Sequence, residues 1–251
     1  ILASWKADTD CCDWYCVTCD DTTNRINSLT IFSGNLPGQI PDAVGDLPYL
    51  ENLEFHHLTN LTGPIPSGLA NLKKLKMITI SYTNISGSVP AWLSQLNNLI
   101  LLDLSFNQLS GTIPSSLSQL TNLLALHLDR NSLTGSIPES FGQFRGNIPD
   151  LYLSHNQLTG EIPASLGDLD FNIIDFSSNK LTGDASFLFG AKKTTIWVIL
   201  SRNKLGFNLS EVEFASTLTN VDLNHNMIYG SIPEAVTALP LQLWNVSYNR
   251  L

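Results

Sequence analysis

One unit of about 24 residues recurs along the chain and limits what it can fold into. In residues 99–120, Leu102 and Leu104 alternate with polar residues, as in a short strand that buries one face, and an Asn, a Gly and an Ile-Pro pair follow. The next unit repeats these residue types at the same spacing from Leu126 onward. This self-similarity predicts a solenoid in which each coil buries its apolar edge against its neighbours.

The unit resembles the leucine-rich repeat, and its Leu-x-Gly-x-Ile-Pro half resembles the plant-specific subclass. The expected fold is an α/β solenoid, a right-handed superhelix of about ten repeats with a concave parallel sheet. We expect an N-terminal cap over residues 1–25 and the solenoid over residues 26–251. The predicted strands centre on Leu29/Ile31, Leu53/Phe55, Ile78/Ile80, Leu102/Leu104, Leu126/Leu128, Leu151/Leu153, Ile174/Phe176, Val198/Leu200, Val221/Leu223 and Trp244/Val246.

Both ends of the chain lie inside structural units. Ile1 begins in mid-element, and Leu251 ends within a repeat, before any C-terminal cap. We therefore expect a fragment of a longer mature protein. No apolar run reaches the roughly 18 residues that a membrane span needs, so no span is expected in this chain.

The chain is acidic, with a formal net charge of −9 and an isoelectric point near 4.8. This charge argues against nucleic acid and against polyanionic ligands in general, and it favours a partner with a basic face.

All four cysteines, Cys11, Cys12, Cys16 and Cys19, lie within nine residues. A solenoid must shield its first coil, so a disulfide-linked cap is the favoured interpretation over a zinc or redox site. The adjacent pair and the interleaved aromatic residues fit no usual zinc spacing, and no metal or other cofactor is expected. The chain also has four Asn-x-Ser/Thr sequons, which fit a secreted glycoprotein: Asn60, Asn84, Asn208 and Asn245.

An Asn follows most of the predicted strands. A buried amide there can bond the backbone of adjacent coils, so we expect a ladder of asparagines. Gly34 and Thr83 take this place in two early units, and the ladder should be interrupted there. The expected members are Asn107, Asn131, Asn156, Asn179, Asn203, Asn226 and Asn249.

The residues between the buried strand positions face solvent on the concave side. They are acidic and include aromatic residues and histidines, as Asp103, His127, Tyr152 and Asp175 illustrate. An ordinary solvated face is the simpler interpretation. Exposed aromatic residues, which are enriched at binding hot spots, favour a binding surface instead.

Catalysis and metal binding find little support in the sequence. An open sheet gives an acid–base pair no desolvated cleft that would tune its pKa values. His56 and His57 are adjacent, and neighbouring strand residues point to opposite faces, so shared metal ligation is not expected.

Several segments resemble the plant polygalacturonase-inhibiting proteins, and the resemblance covers essentially the whole chain. They include Leu2-Ala-Ser-Trp5, Asp10-Cys-Cys-Asp-Trp-Tyr-Cys-Val-Thr-Cys19, Asp150-Leu-Tyr-Leu-Ser-His-Asn156 and Asn245-Val-Ser-Tyr-Asn-Arg-Leu251. The resemblance implies a secreted, glycosylated cell-wall protein that binds fungal, and also insect, endo-polygalacturonases in plant defence. It also implies that Cys12 pairs with Cys19 and that Cys11 pairs with an upstream cysteine absent here. Cys16 has no evident mate.

In that family the concave face carries the inhibitory contacts. Acidic residues matter there, and the matching positions are Asp103, Asp129 and Asp175, whereas neighbouring strand positions vary with the enzyme recognised. The expected partner-binding residues are Tyr82, Asp103, Phe106, Ala125, His127, Asp129, Asp150, Tyr152, Asp175, Ile196, Trp197, Asp222 and Gln242.

We hypothesise that the acidic face docks on the basic substrate cleft of the enzyme through complementary charge. The main alternative is the ligand-binding ectodomain of a plant leucine-rich repeat receptor. Ice binding is a further alternative, but it needs a regular array of small polar groups that the outward positions lack. Pectin binding would require the basic residues to gather into patches: Lys73, Lys74, Lys76, Lys192, Lys193, Arg202 and Lys204.

Overall fold

The strands predicted from the repeat form one sheet in the computed structural model, which describes residues 2–251. Ten strands run parallel in chain order, as predicted, and an antiparallel strand of the cap, which the sequence did not predict, adds to the first edge. The strands of the chain are β1 Val17–Cys19, β2 Ile26–Phe32, β3 Asn52–His56, β4 Thr62–Gly63, β5 Met77–Ser81, β6 Asn84–Ser88, β7 Leu101–Asp103, β8 Gln108–Thr112, β9 Ala125–His127, β10 Ser132–Thr134, β11 Asp150–Tyr152, β12 Thr159–Glu161, β13 Ile173–Asp175, β14 Lys180–Gly183, β15 Trp197–Ile199, β16 Lys204–Leu205, β17 Asn220–Asp222 and β18 Leu243–Asn245.

We number the coils 1 to 10 by the parallel strands of this concave sheet: β2, β3, β5, β7, β9, β11, β13, β15, β17 and β18. The remaining strands pair on the flank that follows each Asn turn. They form one sheet in the order β10-β8-β6-β4 and another in the order β12-β14-β16.

The convex side consists of short 3-10 helices, and residues 2–251 contain no α-helix. Most of these helices begin directly after the Pro of an Ile-Pro pair, whose ring fixes φ and ends strand pairing. No helix in the described chain is long and apolar enough to cross a bilayer. The 3-10 helices are Leu2–Ser4, Cys11–Asp13, Asp42–Asp46, Ser67–Asn71, Ala91–Gln95, Ser115–Gln119, Glu139–Gln143, Ala164–Asp168, Ser186–Leu188, Leu209–Glu211 and Glu234–Ala238.

The core lies between the concave sheet and the 3-10 helices. The inward leucines of the repeat, such as Leu102 and Leu126, are completely buried. Adjacent coils approach closely on the convex side, where a Cβ on Gly45 would lie 2.2 Å from the carbonyl oxygen of Gly68. Only glycine fits at that contact.

The cap covers the first coil with partly buried apolar residues. Leu2 and Trp5 pack against the core, and the Trp5 ring stacks on Trp14 with 5.4 Å between centroids. The segment expected to begin at Ile1 is described from residue 2 onward. Cys12 and Cys19 form a disulfide, and Cys11 and Cys16 are free thiols.

The asparagine ladder is confirmed. Asn131 Nδ2 donates to the carbonyl of Leu104 in the preceding coil (2.9 Å), and its Oδ1 accepts from the Leu109 N–H (2.9 Å). The interruption of the ladder in the early coils is longer than predicted from the sequence, because the fully buried Leu58 occupies the ladder position of coil 2. Thr83 keeps one link by donating its hydroxyl hydrogen to Asn107 Oδ1.

The two coils that lack the Ile-Pro pair fill their convex core with aromatic rings. Phe189 packs against Phe214 (5.4 Å between centroids) and Phe207 (6.3 Å), and all three are buried. Leu188 is also buried. Phe187 is only half-buried, so it contributes less to this core.

Candidate protein-binding surface

The outward side chains of the concave sheet are aligned in rows by the parallel pairing of the strands. We call the middle row the centre row. In four successive coils it contains four of the expected contact residues, because Asp103 pairs with His127, His127 with Tyr152 and Tyr152 with Asp175. The complete centre row is Thr30, Glu54, Thr79, Asp103, His127, Tyr152, Asp175, Ile199, Asp222 and Asn245.

Each aspartate of the centre row is held by a local turn. Oδ1 of Asp103 accepts from the Ser105 N–H (2.9 Å), and Oδ1 of Asp175 accepts from the Ser177 N–H (3.0 Å). Asp222 makes the same contact two residues on (3.1 Å). Within residues 2–251, no hydrogen bond reaches the second oxygen of these carboxylates. The carboxylates are therefore oriented and retain an acceptor for a ligand.

Asp150 and Glu54 extend the negative charge to either side. Asp150 begins strand β11 and accepts from the Ile173 N–H (3.1 Å) through Oδ1. Burial raises the pKa of Asp150, and burial together with the charge of Asp103 raises the pKa of Glu54. Among the described residues, neither carboxylate has a Lys or Arg nitrogen within 4.0 Å.

Asp129 differs from these carboxylates, because the structure places it at the base of the surface. Its side chain is only 14% exposed, and Oδ1 has no hydrogen-bond partner among residues 2–251. The nearest cationic candidate is Nδ1 of His127, at 3.8 Å. Burial, and then the charge of Asp103, raises the pKa of Asp129 to about 6. Asp129 is therefore recessed beside Asp103, and its place among the partner-binding residues stays a prediction.

His127 and Tyr152 form a rigid platform in the middle of the row. Their rings stack with 4.1 Å between centroids and 9° between planes. Burial lowers the pKa of His127, although the charges of Asp103 and Asp150 oppose this effect. The two stacked rings offer a partner a flat aromatic surface.

Tyr82 and Phe106 lie outside the strands, in the left-handed turns that follow them (φ 52° and 53°). They stack face to face (3.8 Å between centroids), His57 stacks on Tyr82 (4.5 Å), and the Arg130 guanidinium lies over Phe106 (4.9 Å). The stack forms one border of the concave face, so these two rings present their edges rather than open faces.

His57 occupies the same kind of turn (φ 55°), which corrects its assignment to the opposite face from His56. The two imidazoles lie side by side, with 4.6 Å between centroids and 88° between planes. At the cap, the sulfur atoms of Cys11, Cys12 and Cys19 lie within 4.8 Å of one another, but two of them are consumed by the disulfide.

The remaining expected contact residues lie where the strands begin. Ala125 and Trp197 are the first residues of β9 and β15, and Ile196 and Gln242 directly precede β15 and β18. Trp197 is 38% exposed. They form a border opposite the aromatic stack.

This border contains apolar residues that the sequence analysis missed. Met77, Ile100 and Leu124 are 40%, 38% and 52% exposed, and Leu101 is half-buried between them. Strand alternation could have found Leu101, because it lies two residues before Asp103 and faces the same side.

The sequons occupy different faces. Asn245 lies in the centre row of coil 10, where its Oδ1 accepts from the Ser247 N–H (3.2 Å). Asn60 and Asn84 lie on the flank after the concave turns, and Asn208 caps a convex 3-10 helix. A glycan on Asn245 would cover the last coils of the concave face, which would confine a docking partner to earlier coils.

Comparisons with known families and proteins agree with this architecture. Residues 1–20 match the Leucine rich repeat N-terminal domain, and residues 98–120, 122–144 and 147–169 match the Leucine Rich Repeat. A polygalacturonase inhibitor of Pyrus communis is 75% identical over 245 residues, which are 98% of this chain and 74% of that protein.

Among the similar solved structures, two illustrate the likeness over 99% of the chain. A plant ice-binding protein superposes with a TM-score of 0.96 at 53% identity, and 81% of its chain is covered. The leucine-rich-repeat ectodomain of the membrane receptor kinase GASSHO1/SCHENGEN3 from Arabidopsis thaliana superposes with a TM-score of 0.89 at 30% identity, and 30% of its chain is covered.

Proposed function

We propose that the chain binds endo-polygalacturonases through its concave face and inhibits them. The chain belongs to the polygalacturonase-inhibitor family of leucine-rich repeat proteins, and this membership is the reason for the proposal. The observation that carries this proposal is the row of oriented carboxylates, each with a free acceptor oxygen, within that face. The chain would act as a protein inhibitor and not as an enzyme.

The mechanism follows from the substrate of the target. A polygalacturonase must hold a polyanion, so its cleft should be basic. Asp103, Asp150 and Asp175 lie in coils 4, 6 and 7 and would face such a cleft, where complementary charge speeds association and sets register. The stacked rings of His127 and Tyr152 would add a desolvated contact between the carboxylates. A docked inhibitor would then compete with pectin for the cleft.

The biological setting is part of the proposal. The targets would be fungal, and also insect, endo-polygalacturonases, and slower pectin depolymerisation would serve plant defence. The sequons and the disulfide-linked cap support a secreted glycoprotein of the plant cell wall.

A panel of purified endo-polygalacturonases tests the proposal directly. The wild-type chain should inhibit at least one of them, and Asp103→Asn and Asp175→Asn should weaken inhibition more at low salt than at high salt. Asp184→Asn is the matched control, because Asp184 makes the same turn contact with the Ser186 N–H (2.7 Å) but lies on the flank. Equal inhibition by all variants at every salt concentration would reject the charge mechanism.

Pectin is a second candidate ligand, at a different surface. Arg130, His155 and Arg202 occupy left-handed turns of coils 5, 6 and 8. Burial, and then the charges of the two arginines, lowers the pKa of His155. Two of the other expected cations are engaged elsewhere, since Lys76 pairs with Glu51 (2.6 Å) and Lys193 donates to two backbone carbonyls. Co-sedimentation with long polygalacturonate, compared between wild type and Arg130→Gln/Arg202→Gln, tests this surface.

The receptor and ice-binding alternatives receive less support. The receptor ectodomain is 30% identical to this chain, against 75% for the polygalacturonase inhibitor. The ice-binding neighbour is 53% identical, but the centre row mixes acidic, aromatic and aliphatic residues rather than repeating one small polar group. A thermal-hysteresis measurement would test ice binding.

A further inference from the structure

We propose that the apolar residues along the strand-start border, Met77, Ile100, Leu101 and Leu124, form the second half of the polygalacturonase docking site. We call this surface the apolar margin. The inference rests on the proposed function and deepens it. It predicts which border of the concave face the enzyme contacts and that the enzyme surface beside the basic cleft is apolar.

The apolar margin is continuous across coils 3 to 5. Met77 pairs with Leu101 in the parallel sheet, the Ile100 N–H donates to the Lys76 carbonyl (2.7 Å), and the Leu124 N–H donates to the Ile100 carbonyl (2.8 Å). Three of its members are at least 38% exposed. Neighbouring exposed apolar side chains that are held by backbone hydrogen bonds are typical of an interaction surface rather than of isolated surface residues.

The size of the acidic row makes a second contact region necessary. Three consecutive residues per strand span about 10 Å, and four coils span about 20 Å, so the row offers about 200 Å². A stable interface buries roughly 800 Å² on each partner. The enzyme must therefore also contact at least one border of the concave face.

The charges on the two borders of the concave face indicate which border the enzyme contacts. From coil 5 onward, the turn border carries Arg130, His155 and Arg202, and no Asp or Glu of the described chain pairs with the two arginines within 4.0 Å. A basic cleft would be repelled there. At the apolar margin, the adjacent cation Lys76 is neutralised by Glu51 (2.6 Å). A partner attracted by the carboxylates therefore meets a paired cation beside the margin, whereas the turn border presents Arg130 and Arg202 with no carboxylate partner among the described residues.

The margin also adjoins the carboxylates directly. Leu101 lies two residues before Asp103 on the same strand and the same face, and Ala125, next to Leu124, pairs with Asp150 in the adjacent coil. The matching enzyme surface would be an uncharged, apolar patch beside the substrate cleft. Such a contact contributes affinity that salt does not screen.

The decisive experiment compares two double variants as inhibitors of one endo-polygalacturonase, at low and high salt. Met77→Ser/Ile100→Ser removes two of the three exposed side chains of the margin. Met227→Ser/Ile232→Ser is the control, since these residues are 39% and 50% exposed but lie on the flank and convex side of coil 9. We expect the margin variant to lose about tenfold in inhibition at both salt concentrations and the control to change less than about twofold.

The outcomes separate this inference from the function on which it rests. If Asp103→Asn weakens inhibition while the margin variant equals the control, the margin has no role although the inhibitor function stands. If the wild type inhibits no polygalacturonase, both proposals fail. If the margin variant changes only the sedimentation of the chain alone, a second copy covers the margin and the inference is rejected. Urea unfolding of both double variants verifies that they fold.

Discussion

The buried ladder positions and the solvent-facing centre row differ in how much their residues vary from coil to coil. Inside, the same asparagine recurs in seven coils, because every turn presents the same backbone groups for its amide to bond. Outside, no two adjacent coils share a residue in the centre row. The fold is therefore specified by what repeats, and recognition by what does not.

The largest expected effect tests the inward side. Asn131→Ala removes the donor to the Leu104 carbonyl and the acceptor of the Leu109 N–H, so buried backbone groups of adjacent coils lose their partner. We expect the free energy of unfolding to fall by about 3 kcal/mol, measured by urea denaturation. Inhibition per folded molecule should stay unchanged.

Asn122 provides the control for this variant, because its exposed amide makes one bond, to the Asn97 carbonyl (2.8 Å). Asn122→Ala should cost less than about 1 kcal/mol. Similar losses for the two variants would mean that the ladder has no special place in the stability of the solenoid.

The second effect tests the outward side. Asp103→Asn keeps the acceptor for the Ser105 N–H and removes only the charge. We expect inhibition of a sensitive polygalacturonase to weaken about tenfold at low salt, with the free energy of unfolding unchanged. A variant that loses stability but inhibits normally would reverse the assignment of roles to the two sides.

The sequence predicts the inward side well and the outward side less well. Core leucines and ladder asparagines recur at a fixed spacing, so ten strands and their turns follow from the pattern. Leu58 was overlooked as a ladder position because an apolar residue there resembles an ordinary core residue, which it also is.

The outward errors share one physical cause. Alternation of faces holds only while the strand lasts, and the sequence does not show where each strand ends. Strand β9 ends at His127, so Asp129 lies beyond the strand, directly before the left-handed turn at Arg130, and is recessed below the surface. His57, Tyr82 and Phe106 lie beyond their strands in left-handed turns, which bring them together as a stack instead of placing them on alternate faces.

The third expected effect concerns the recessed carboxylate of Asp129. The pKa of Asp129 is about 6 in the folded chain, above its ordinary value of about 3.9 in an unfolded one. The folded chain therefore holds a proton that the unfolded chain releases. The resulting stability is fully present below about pH 4 and is lost as the pH rises through about 6.

Urea unfolding of wild type and Asp129→Asn at several pH values measures this contribution. Between pH 4 and pH 7 the wild type should lose about 1 kcal/mol relative to the variant, after allowance for solvent screening. Asp184→Asn, at an exposed site, should follow the wild type across the same range. A constant difference between wild type and Asp129→Asn would contradict the recessed environment of this group.

The smallest expected effect comes from restoring a ladder asparagine in coil 3, where the ladder is interrupted. In coil 3 the Thr83 hydroxyl satisfies Asn107 Oδ1 but cannot reach the carbonyls that an amide would bond. Thr83→Asn should restore these bonds and stabilise the chain by about 0.5 kcal/mol, measured by urea denaturation. Leu58→Asn is the contrasting variant, because Leu58 is completely buried as part of the hydrophobic core, and an amide in its place should destabilise the chain instead. Stabilisation by both changes would mean that the early coils tolerate the ladder everywhere, so that their apolar turn has no structural cause.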